Sequence, residues 1–335
     1  MVRVGIIGAG RIGQVHAENL AYRIPEAEVV AIADIDERAA AACAARFGVP
    51  AATDNPHAIL DNPAIDAVLI CSPTETHAML MEAAAAANKH IFCEKPIALN
   101  LAAIDHALAA VEEAGVKLQI GFNRRFDPNF RHVREMVAAG KIGEPHILRI
   151  TSRDPAPPPV SYIKASGGIF LDMTIHDFDM ARYLIGSEVA EVFAAGGVRV
   201  DPAIGEAGDI DTALVTLRFE NGAIGAIDNC RKAVYGYDQR VEVFGADGSI
   251  AVANNTPHNA VHSDAEGVHG AKPLYFFMQR YTESFIEEMR AFIAAIVNDT
   301  PTPVTGQDGR VPVVMGLAAW KSYKENRPVP LSEIG

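Results

Sequence analysis

The sequence predicts an α/β protein of two domains: a parallel sheet covered by helices, then a mostly antiparallel sheet with helices on one face. Two observations lead to this prediction. Residues up to about 122 alternate short apolar strands with helices. Beyond about residue 123 the strands are longer, and the turns Asn221-Gly222 and Asp247-Gly248 are typical of hairpins. The 335 residues are enough for two domains with cores of their own.

The elements of the first domain follow from apolar runs that match buried parallel strands and from Ala- and Leu-rich helical stretches between them. The predicted strands are Val2–Ile7, Val29–Ala33, Ala67–Cys71, His90–Cys93 and Val116–Gly121. The predicted helices are Arg11–Arg23, Glu37–Phe47, Thr76–Asn88 and Leu101–Ala114. This domain is predicted to span residues 1–122.

The second domain, predicted at 123–307, is assigned from alternating strands and amphipathic helices. The predicted strands are His146–Ser152, Glu191–Val200, Asp211–Phe219, Ala223–Asn229 and Gln239–Phe244. The predicted helices are Pro128–Ala139 and Phe285–Val297. A last helix, at about 308–326, is a candidate to return to the first domain.

Composition argues against several classes of function. The net charge is −13 and no Lys/Arg cluster is present, so we expect no nucleic-acid partner. The apolar runs are too short to span a bilayer, and nothing resembles a signal peptide, so we expect no membrane association and a cytoplasmic location. The four cysteines have no CxxC spacing, which favours reduced thiols over zinc or disulfides.

The first predicted strand ends in Gly8-Ala9-Gly10-Arg11-Ile12-Gly13, and a helix follows directly. In this context GxGxxG is the dinucleotide-binding fingerprint. The first glycine permits a tight turn, the second lets the backbone approach a pyrophosphate, and the third lets the helix pack on the strand. The N-terminus of the helix then presents N–H groups to the phosphates.

Asp34 indicates which dinucleotide binds. It ends the second strand, 21 residues after Gly13, where a carboxylate accepts a hydrogen bond from a ribose 2′-hydroxyl and repels a 2′-phosphate. NAD is therefore favoured over NADP. Arg11 and Arg38 soften that repulsion, and an ordinary strand-end turn residue is the alternative reading of Asp34.

Polar or turn-forming residues follow three other strands of the first domain. They are Ser72, Pro73, Thr74 and His77 after the third strand, Glu94 and Lys95 after the fourth, and Asn123 and Arg124 after the fifth. Ligands of such sheets bind at these carboxyl ends. Lys95 at a strand end is suited to act as an electrophile or a proton partner, although Glu-Lys-Pro alone is more typical of a surface turn.

Asp172 and His176 lie four residues apart, so on a helix they share one face. A carboxylate beside an imidazole fixes its tautomer and raises its basicity, as a general base for a hydroxyl proton requires. Metal ligation and a purely structural pair remain alternatives at this point. Since no third residue stands at metal-ligand spacing, we expect no metal.

Taken together, Gly8–Gly13, Cys93-Glu94-Lys95-Pro96 and the Asp172/His176 pair resemble the Gfo/Idh/MocA oxidoreductase family over essentially the full chain. Three further segments resemble its inositol-oxidising branch: 121–127, 152–155 and 166–184. The resemblance implies an N-terminal Rossmann domain, a C-terminal α/β domain with an open, mostly antiparallel sheet, and a homotetramer formed through that sheet. It also implies NAD-dependent oxidation of a cyclic polyol, myo-inositol above all, in inositol catabolism.

The resemblance further implies a catalytic triad of Lys95, Asp172 and His176, with His176 as base, Asp172 as its orienting partner and Lys95 on the reacting oxygen. The expected cofactor-binding residues are Gly8, Gly10, Arg11, Ile12, Gly13, Asp34, Ile35, Arg38, Ser72, Pro73, Thr74, His77, Glu94, Lys95 and Asn123. The expected polyol-binding residues are Lys95, Asn123, Arg124, Asp154, Asp172, His176 and Tyr235.

Alternative functions remain at this stage. In one alternative, the substrate is another inositol isomer or an aldose sugar. In a second, the protein is a non-enzymatic regulator that senses NAD, although such regulators would be expected to lack the lysine or the histidine. An NAD-dependent glycosidase is a third, which the 172–184 segment argues against.

Overall fold

The computed structural model describes all residues, Met1–Gly335. The strands are β1 (Val2–Ile7), β2 (Ala27–Ala33), β3 (Ala52–Thr53), β4 (Ala67–Ile70), β5 (His90–Cys93), β6 (Leu118–Ile120), β7 (Pro145–Arg153), β8 (Val189–Gly197), β9 (Thr212–Phe219), β10 (Ile224–Cys230), β11 (Asp238–Gly245), β12 (Gly248–Val252), β13 (Val261–Asp264), β14 (Gly267–Gly270) and β15 (Val329–Pro330).

The helices are α1 (Arg11–Arg23), α2 (Glu37–Phe47), α3 (His57–Leu60), α4 (His77–Ala86), α5 (Leu101–Ala114), α6 (Pro128–Ala138), α7 (Val160–Ile163), α8 (Ile169–Asp172), α9 (Thr174–Ile185), α10 (Pro202–Glu206), α11 (Phe277–Arg280), α12 (Thr282–Val297) and α13 (Gly306–Glu325). Single 3₁₀ turns lie at Thr74–Thr76, Asn123–Phe126 and Leu331–Glu333. No helix is both long and apolar enough to cross a membrane.

The first sheet has six parallel strands in the order β3-β2-β1-β4-β5-β6. This is the order of a doubly wound dinucleotide-binding sheet, which binds its ligand at the carboxyl ends of the strands. The second sheet has seven strands in the order β12-β11-β7-β10-β9-β8-β15, in which only the β7–β10 pair is parallel. The predicted fold class is thus confirmed: a Rossmann domain and an open, mostly antiparallel sheet.

Contacts divide the chain into two units that differ in extent from the predicted domains. The first unit contains Met1–Phe126 and Glu283–Val313, and the second contains Asp127–Thr282 and Val314–Gly335. The segment Glu283–Val313 therefore groups with the first unit, whereas the sequence assigned most of it to the second domain.

The core of the first unit gives the physical reason for this difference. Met289, Phe292 and Ile293 of α12 are buried in the same apolar cluster as residues of β1 and β2. Each fully buried side chain of this kind contributes roughly 1.5–3 kcal/mol. The first turns of α13 also belong to this unit, since Gly306 packs on Leu108.

Candidate active site

The glycine-rich turn between β1 and α1 has three distinct glycine environments. Gly8 adopts φ +107°, which a side chain disfavours. A Cβ on Gly13 would lie 1.9 Å from the carbonyl oxygen of Gly8, so only glycine lets α1 approach the strand this closely. A Cβ on Gly10 would meet nothing within 4 Å. The turn therefore leaves open space at Gly10, which fits a pyrophosphate close to the backbone.

Helix α1 begins at Arg11, directly after this turn, and no side chain caps its N-terminus. The first N–H groups of a helix have no acceptor within the helix itself and carry the positive end of its dipole. Arg11 is exposed and Ile12 is half-buried at this end. The arrangement is suited to bind an anionic phosphate.

The Asp34 carboxylate binds back to the glycine-rich turn. Its Oδ2 accepts a hydrogen bond from the N–H of Ala9 at 2.7 Å, and its Oδ1 accepts one from the N–H of Asp36 at 2.9 Å. Each carboxylate oxygen has a second lone pair, so Asp34 can still accept a hydrogen bond from a ribose hydroxyl. Ile35 and Arg38 are exposed beside it.

The loop after β4 is fixed by a buried histidine. The ring nitrogens of His77 lie 2.8 Å from the carbonyl oxygens of Ser72 and Pro96, so the imidazole connects the loops after β4 and β5. The Ser72 and Thr76 hydroxyls hydrogen-bond at 2.6 Å. His77 is 2% exposed, so it supports the predicted cofactor loop from behind; Pro73 and Thr74 lie nearer the surface.

A buried trio of His16, Glu94 and Glu288 lies at the end of β5, next to Lys95. The Nε2 of His16 is 2.9 Å from the Oε1 of Glu94 and 3.9 Å from the Oε1 of Glu288. Burial, and then the neighbouring Glu94, raises the pKa of Glu288 well above its usual value. Glu94 and Lys95 themselves are half-buried at this strand end.

The sequence prediction missed two members of this trio, His16 and Glu288. A signal for both existed. His16 lies among Gly13, Ala17 and Leu20 on the buried face of α1, and Glu288 lies on the buried face of α12. An ionisable residue at a core position of an amphipathic helix is unusual and calls for a partner.

Asp172 and His176 belong to two helical segments, and the expected single helix is interrupted at Met173. Asp172 ends α8, and His176 lies in the first turn of α9. The Oδ1 of Asp172 accepts a hydrogen bond from the Tyr162 hydroxyl at 2.8 Å. Its Oδ2 accepts one from the Nη1 of Arg231 at 3.0 Å. Asp172 is thus held from both oxygens.

Arg231 is a third residue that the sequence prediction missed. Its side chain is 1% exposed and bridges Asp172 to Asp209, whose Oδ2 lies 3.4 Å from Nη2. Burial raises the pKa of Asp209, although the Ile169 N–H and Arg231 oppose that rise. Burial also raises the pKa of Tyr162, and the nearby Asp172 raises it further, so this phenol stays a donor.

Helix α9, which carries His176, is anchored on the second sheet by buried polar contacts. The Thr174 hydroxyl donates to the Oδ1 of Asn229 at 2.6 Å. The Nδ2 of Asn229 in turn donates to the Oδ2 of Asp177 at 2.8 Å. All three residues are buried. These bonds fix the rotation of α9 about its axis and therefore the direction of His176.

Tyr235, predicted to bind polyol, is engaged elsewhere. Its hydroxyl donates to Asp238 at 2.6 Å and accepts from Arg153 at 3.0 Å. Arg153 also pairs with Asp228. Strand alternation places Asp228 on the face of the sheet opposite to Asn229, hence opposite to α9. The predicted role of Tyr235 stays a prediction, and its hydroxyl has a structural role in this ion cluster.

The other residues predicted to bind the polyol are distributed over the two units. Asn123 and Arg124 are buried in the 3₁₀ turn after β6, in the first unit together with Lys95. Asp154 follows β7 in the second unit, where its carbonyl accepts the N–H of Ala233 at 2.6 Å. Its charge contributes to raising the pKa of Arg231, after the larger contributions of Asp172 and Asp209.

Three features define a dinucleotide-binding protein: the glycine-rich turn, the Asp34 carboxylate after β2 and the order of the strands in the sheet. A family model described as "Oxidoreductase family, NAD-binding Rossmann fold" matches residues 2–122, and one described as "GFO/IDH/MocA C-terminal domain" matches 130–251. The chain belongs to the Gfo/Idh/MocA family of oxidoreductases. Its cofactor is NAD.

Relatives with similar sequences agree with this assignment along the whole chain. The chain is 53% identical to the myo-inositol 2-dehydrogenase of Thermotoga maritima, over 99% of both chains. It is 46% identical to the inositol 2-dehydrogenase of Rhizobium meliloti, again over 99% of both. A crystal structure of scyllo-inositol dehydrogenase from Lactobacillus casei with NAD(H) and scyllo-inositol has a TM-score of 0.92 at 31% identity and covers 99% of each chain.

Proposed function

We propose that this oxidoreductase removes hydride from a secondary alcohol of an inositol and that it converts myo-inositol to 2-keto-myo-inositol (scyllo-inosose). The observation that carries the proposal is the Asp172 carboxylate, held by Arg231 and Tyr162 four residues before His176. A fixed anion at that position serves a general base. The substrates named for the relatives support an inositol as the alcohol.

His176 takes the hydroxyl proton in this proposal. Asp172 orients the imidazole and stabilises the imidazolium that forms, and a positioned base of this kind is worth about 10²–10⁴-fold in rate. Lys95 donates a hydrogen bond to the reacting oxygen and contacts the nicotinamide ribose. Bound NAD supplies the hydride acceptor. Asn123, Arg124 and Asp154 form the polyol pocket, and the contact predicted for Tyr235 competes with its hydrogen bonds to Asp238 and Arg153.

The residues that hold NAD are those of the first unit. The open space at Gly10 and the start of α1 receive the pyrophosphate. Asp34 accepts a hydrogen bond from the 2′-hydroxyl of the adenosine ribose, which favours NAD over NADP. The other predicted cofactor contacts come from Ile12, Ile35, Arg38, Ser72, Pro73, Thr74 and Glu94. His77 connects the loops after β4 and β5, to which Ser72, Pro73, Thr74 and Glu94 belong.

Initial rates of NADH formation test the proposal directly. The wild-type protein is mixed with NAD or NADP and with myo-inositol, scyllo-inositol or glucose. We expect turnover on myo-inositol with NAD and weak turnover with NADP. Lys95→Ala should lose on the order of 10²–10⁴-fold in kcat while the protein still binds NAD. A variant with near-normal kcat would refute the mechanism.

The remaining parts of the proposal are a homotetramer, a cytoplasmic location and a role in inositol catabolism. Leu214, Ile224 and Phe244 are 54%, 53% and 46% exposed on strands of the second sheet, and such apolar exposure favours an interface between copies. Light scattering of the wild type and of Leu214→Glu tests this part. We expect the substitution to lower the assembly state, and a monomeric wild type would overturn it.

A further inference from the structure

Two amide side chains are buried in the second sheet, on either side of Ser152. Asn229 of β10 and Gln239 of β11 are both register partners of Ser152 on β7. The two amide residues are 0% and 1% exposed, respectively. A buried amide is costly unless its hydrogen bonds are satisfied, so the partners of each side chain show what it holds in place.

The side chain of Asn229 ties the first turn of α9 to the end of β7. Its Oδ1 accepts a hydrogen bond from the Thr174 hydroxyl at 2.6 Å. Its Nδ2 donates to the Oδ2 of Asp177 at 2.8 Å and to the carbonyl oxygen of Ser152 at 3.2 Å. Since an amide nitrogen has two N–H groups, both of these bonds form together. One side chain therefore bonds to two residues of the helix and one of the strand.

His176 lies between the two anchored residues of α9. Thr174 is two residues before it and Asp177 is one residue after it, all within the first turn of the helix. No side chain caps the N-terminus of α9, so this turn lacks the restraint that usually fixes the start of a helix. Asn229 supplies a restraint from the sheet instead, and it does so on both sides of His176.

The same contacts reach two other segments of the candidate site. The Thr174 hydroxyl lies 3.2 Å from the carbonyl oxygen of Ile169, with which α8 begins, and Asp172 ends that helix. On the strand side, Ser152 lies two residues before Asp154, which is predicted to bind the polyol. A single buried amide is thus bonded where the segments that carry the base, its orienting partner and a polyol contact meet.

We propose that Asn229 is a positioning residue, which fixes the direction of the His176 imidazole relative to the polyol site by holding the first turn of α9. It acts through the backbone of that helix. The inference rests on the proposed function for the role of His176 as base. The anchoring of α9 by Asn229 is independent of the reaction.

Two leucine substitutions separate this anchoring from simple packing. Asn229→Leu preserves the approximate size of the side chain and removes its three hydrogen bonds. We expect kcat on myo-inositol to fall by on the order of 10²-fold while NAD still binds, as a displacement of about 1 Å at the reacting group produces. Gln239→Leu is the matched control, because the Gln239 side chain bonds to the hydroxyls of Ser152 and Tyr281, at 3.1 and 3.4 Å, and not to α9. It should retain near-wild-type kcat.

Thr174 provides a conservative pair of variants for the same contact. Thr174→Val keeps the shape of the side chain and loses the hydroxyl, so kcat should fall. Thr174→Ser keeps the hydroxyl and should retain near-wild-type kcat. The double variant Thr174→Val/Asn229→Leu should be no slower than Asn229→Leu alone, because both substitutions remove the same bond. Should Asn229→Leu fail to fold, the two Thr174 variants decide the question.

Nuclear magnetic resonance of protein labelled at the histidine ring carbons gives a readout that needs no turnover. The variant His176→Asn assigns the signal of His176 among the 11 histidines. That signal should move in Asn229→Leu and in Thr174→Val, since the direction of the imidazole changes. It should keep its wild-type position in Gln239→Leu and in Thr174→Ser.

Each outcome decides between the possibilities. An active wild type whose Asn229→Leu variant keeps its kcat, or whose Gln239→Leu variant loses as much, overturns the inference alone. A His176 signal that stays in place in Asn229→Leu overturns it whatever the activity. An inactive wild type whose His176 signal moves in Asn229→Leu and not in Gln239→Leu overturns the proposed function and supports the anchoring of α9.

Discussion

The two units accommodate clusters of acidic groups in opposite ways. In the second unit the guanidinium of Arg231 lies between Asp172 and Asp209, so opposite charges are paired. In the first unit Glu94 and Glu288 lie beside the imidazole of His16, and the trio itself contains no lysine or arginine. Removing Arg231 is therefore expected to destabilise the cluster of the second unit. A change of pH is expected to affect the trio of the first unit.

Arg231→Met should produce the largest effect. It removes the counter-charge of the buried Asp209 and one of the groups that hold Asp172, and loss of one partner of a buried ion pair typically destabilises a protein by about 3–5 kcal/mol. Urea unfolding followed by the fluorescence of the single tryptophan, Trp320, measures this, because Trp320 packs on Phe170 in the same unit. Arg149→Met is the control: its pair with Glu242 is exposed and should contribute little. Equal loss in both variants would contradict the comparison.

Glu288→Gln should change how stability depends on pH. Because the folded-state pKa of Glu288 is raised above its usual 4.5, the unfolded chain releases this proton first as pH rises. The wild type should then lose stability relative to the variant by at most about 1.4 kcal/mol per pH unit in that window. Urea unfolding from acid to neutral pH measures the difference. Parallel curves for the two proteins would show that Glu288 does not retain its proton.

Asp238→Asn gives the opposite sign within the second unit. Burial alone would raise the pKa of Asp238, but hydrogen bonds from Arg240, Tyr235 and Asn254 lower it on balance. Its contribution to stability is therefore present at neutral pH and is lost as pH falls through the lowered pKa. The variant should be less stable than the wild type at neutral pH and should approach it in acid. A gap that widens in acid would contradict this sign.

Tyr162→Phe should have the smallest effect. It removes one hydrogen bond to Asp172 while the bond from Arg231 remains, and a single bond of this type contributes about 0.5–1.5 kcal/mol. Thermal unfolding measures the change. A loss as large as that of Arg231→Met would show that the hydroxyl, rather than the guanidinium, holds Asp172.

Local sequence patterns were sufficient for most of the fold. The bounds of β1 and α1 match their predictions because an apolar run, a glycine-rich turn and a helix lie next to one another. Helix α12 was predicted as a helix but assigned to the second domain. Its amphipathic period identifies a buried face, and nothing in that period says which core the face joins.

The candidate site was only partly predictable for a similar reason. Motifs such as the glycine-rich turn have a spacing that can be recognised in one chain. Arg231 and Glu288 belong to no such motif. Each is a single ionisable residue whose importance depends on partners far away in sequence. The break at Met173 has no local signal either, because no glycine or proline lies between Asp172 and His176.

The hydrogen bond from Ala9 to Asp34 has a consequence for redesign of the cofactor preference. The same carboxylate that disfavours a 2′-phosphate also holds the glycine-rich turn in place, at 2.7 Å from its N–H group. Exchanging Asp34 for a small neutral residue would admit the phosphate and at the same time release the turn. The preference for NAD and the order of the glycine-rich turn therefore depend on the same side chain. A switch to NADP requires a second substitution that supplies the lost acceptor.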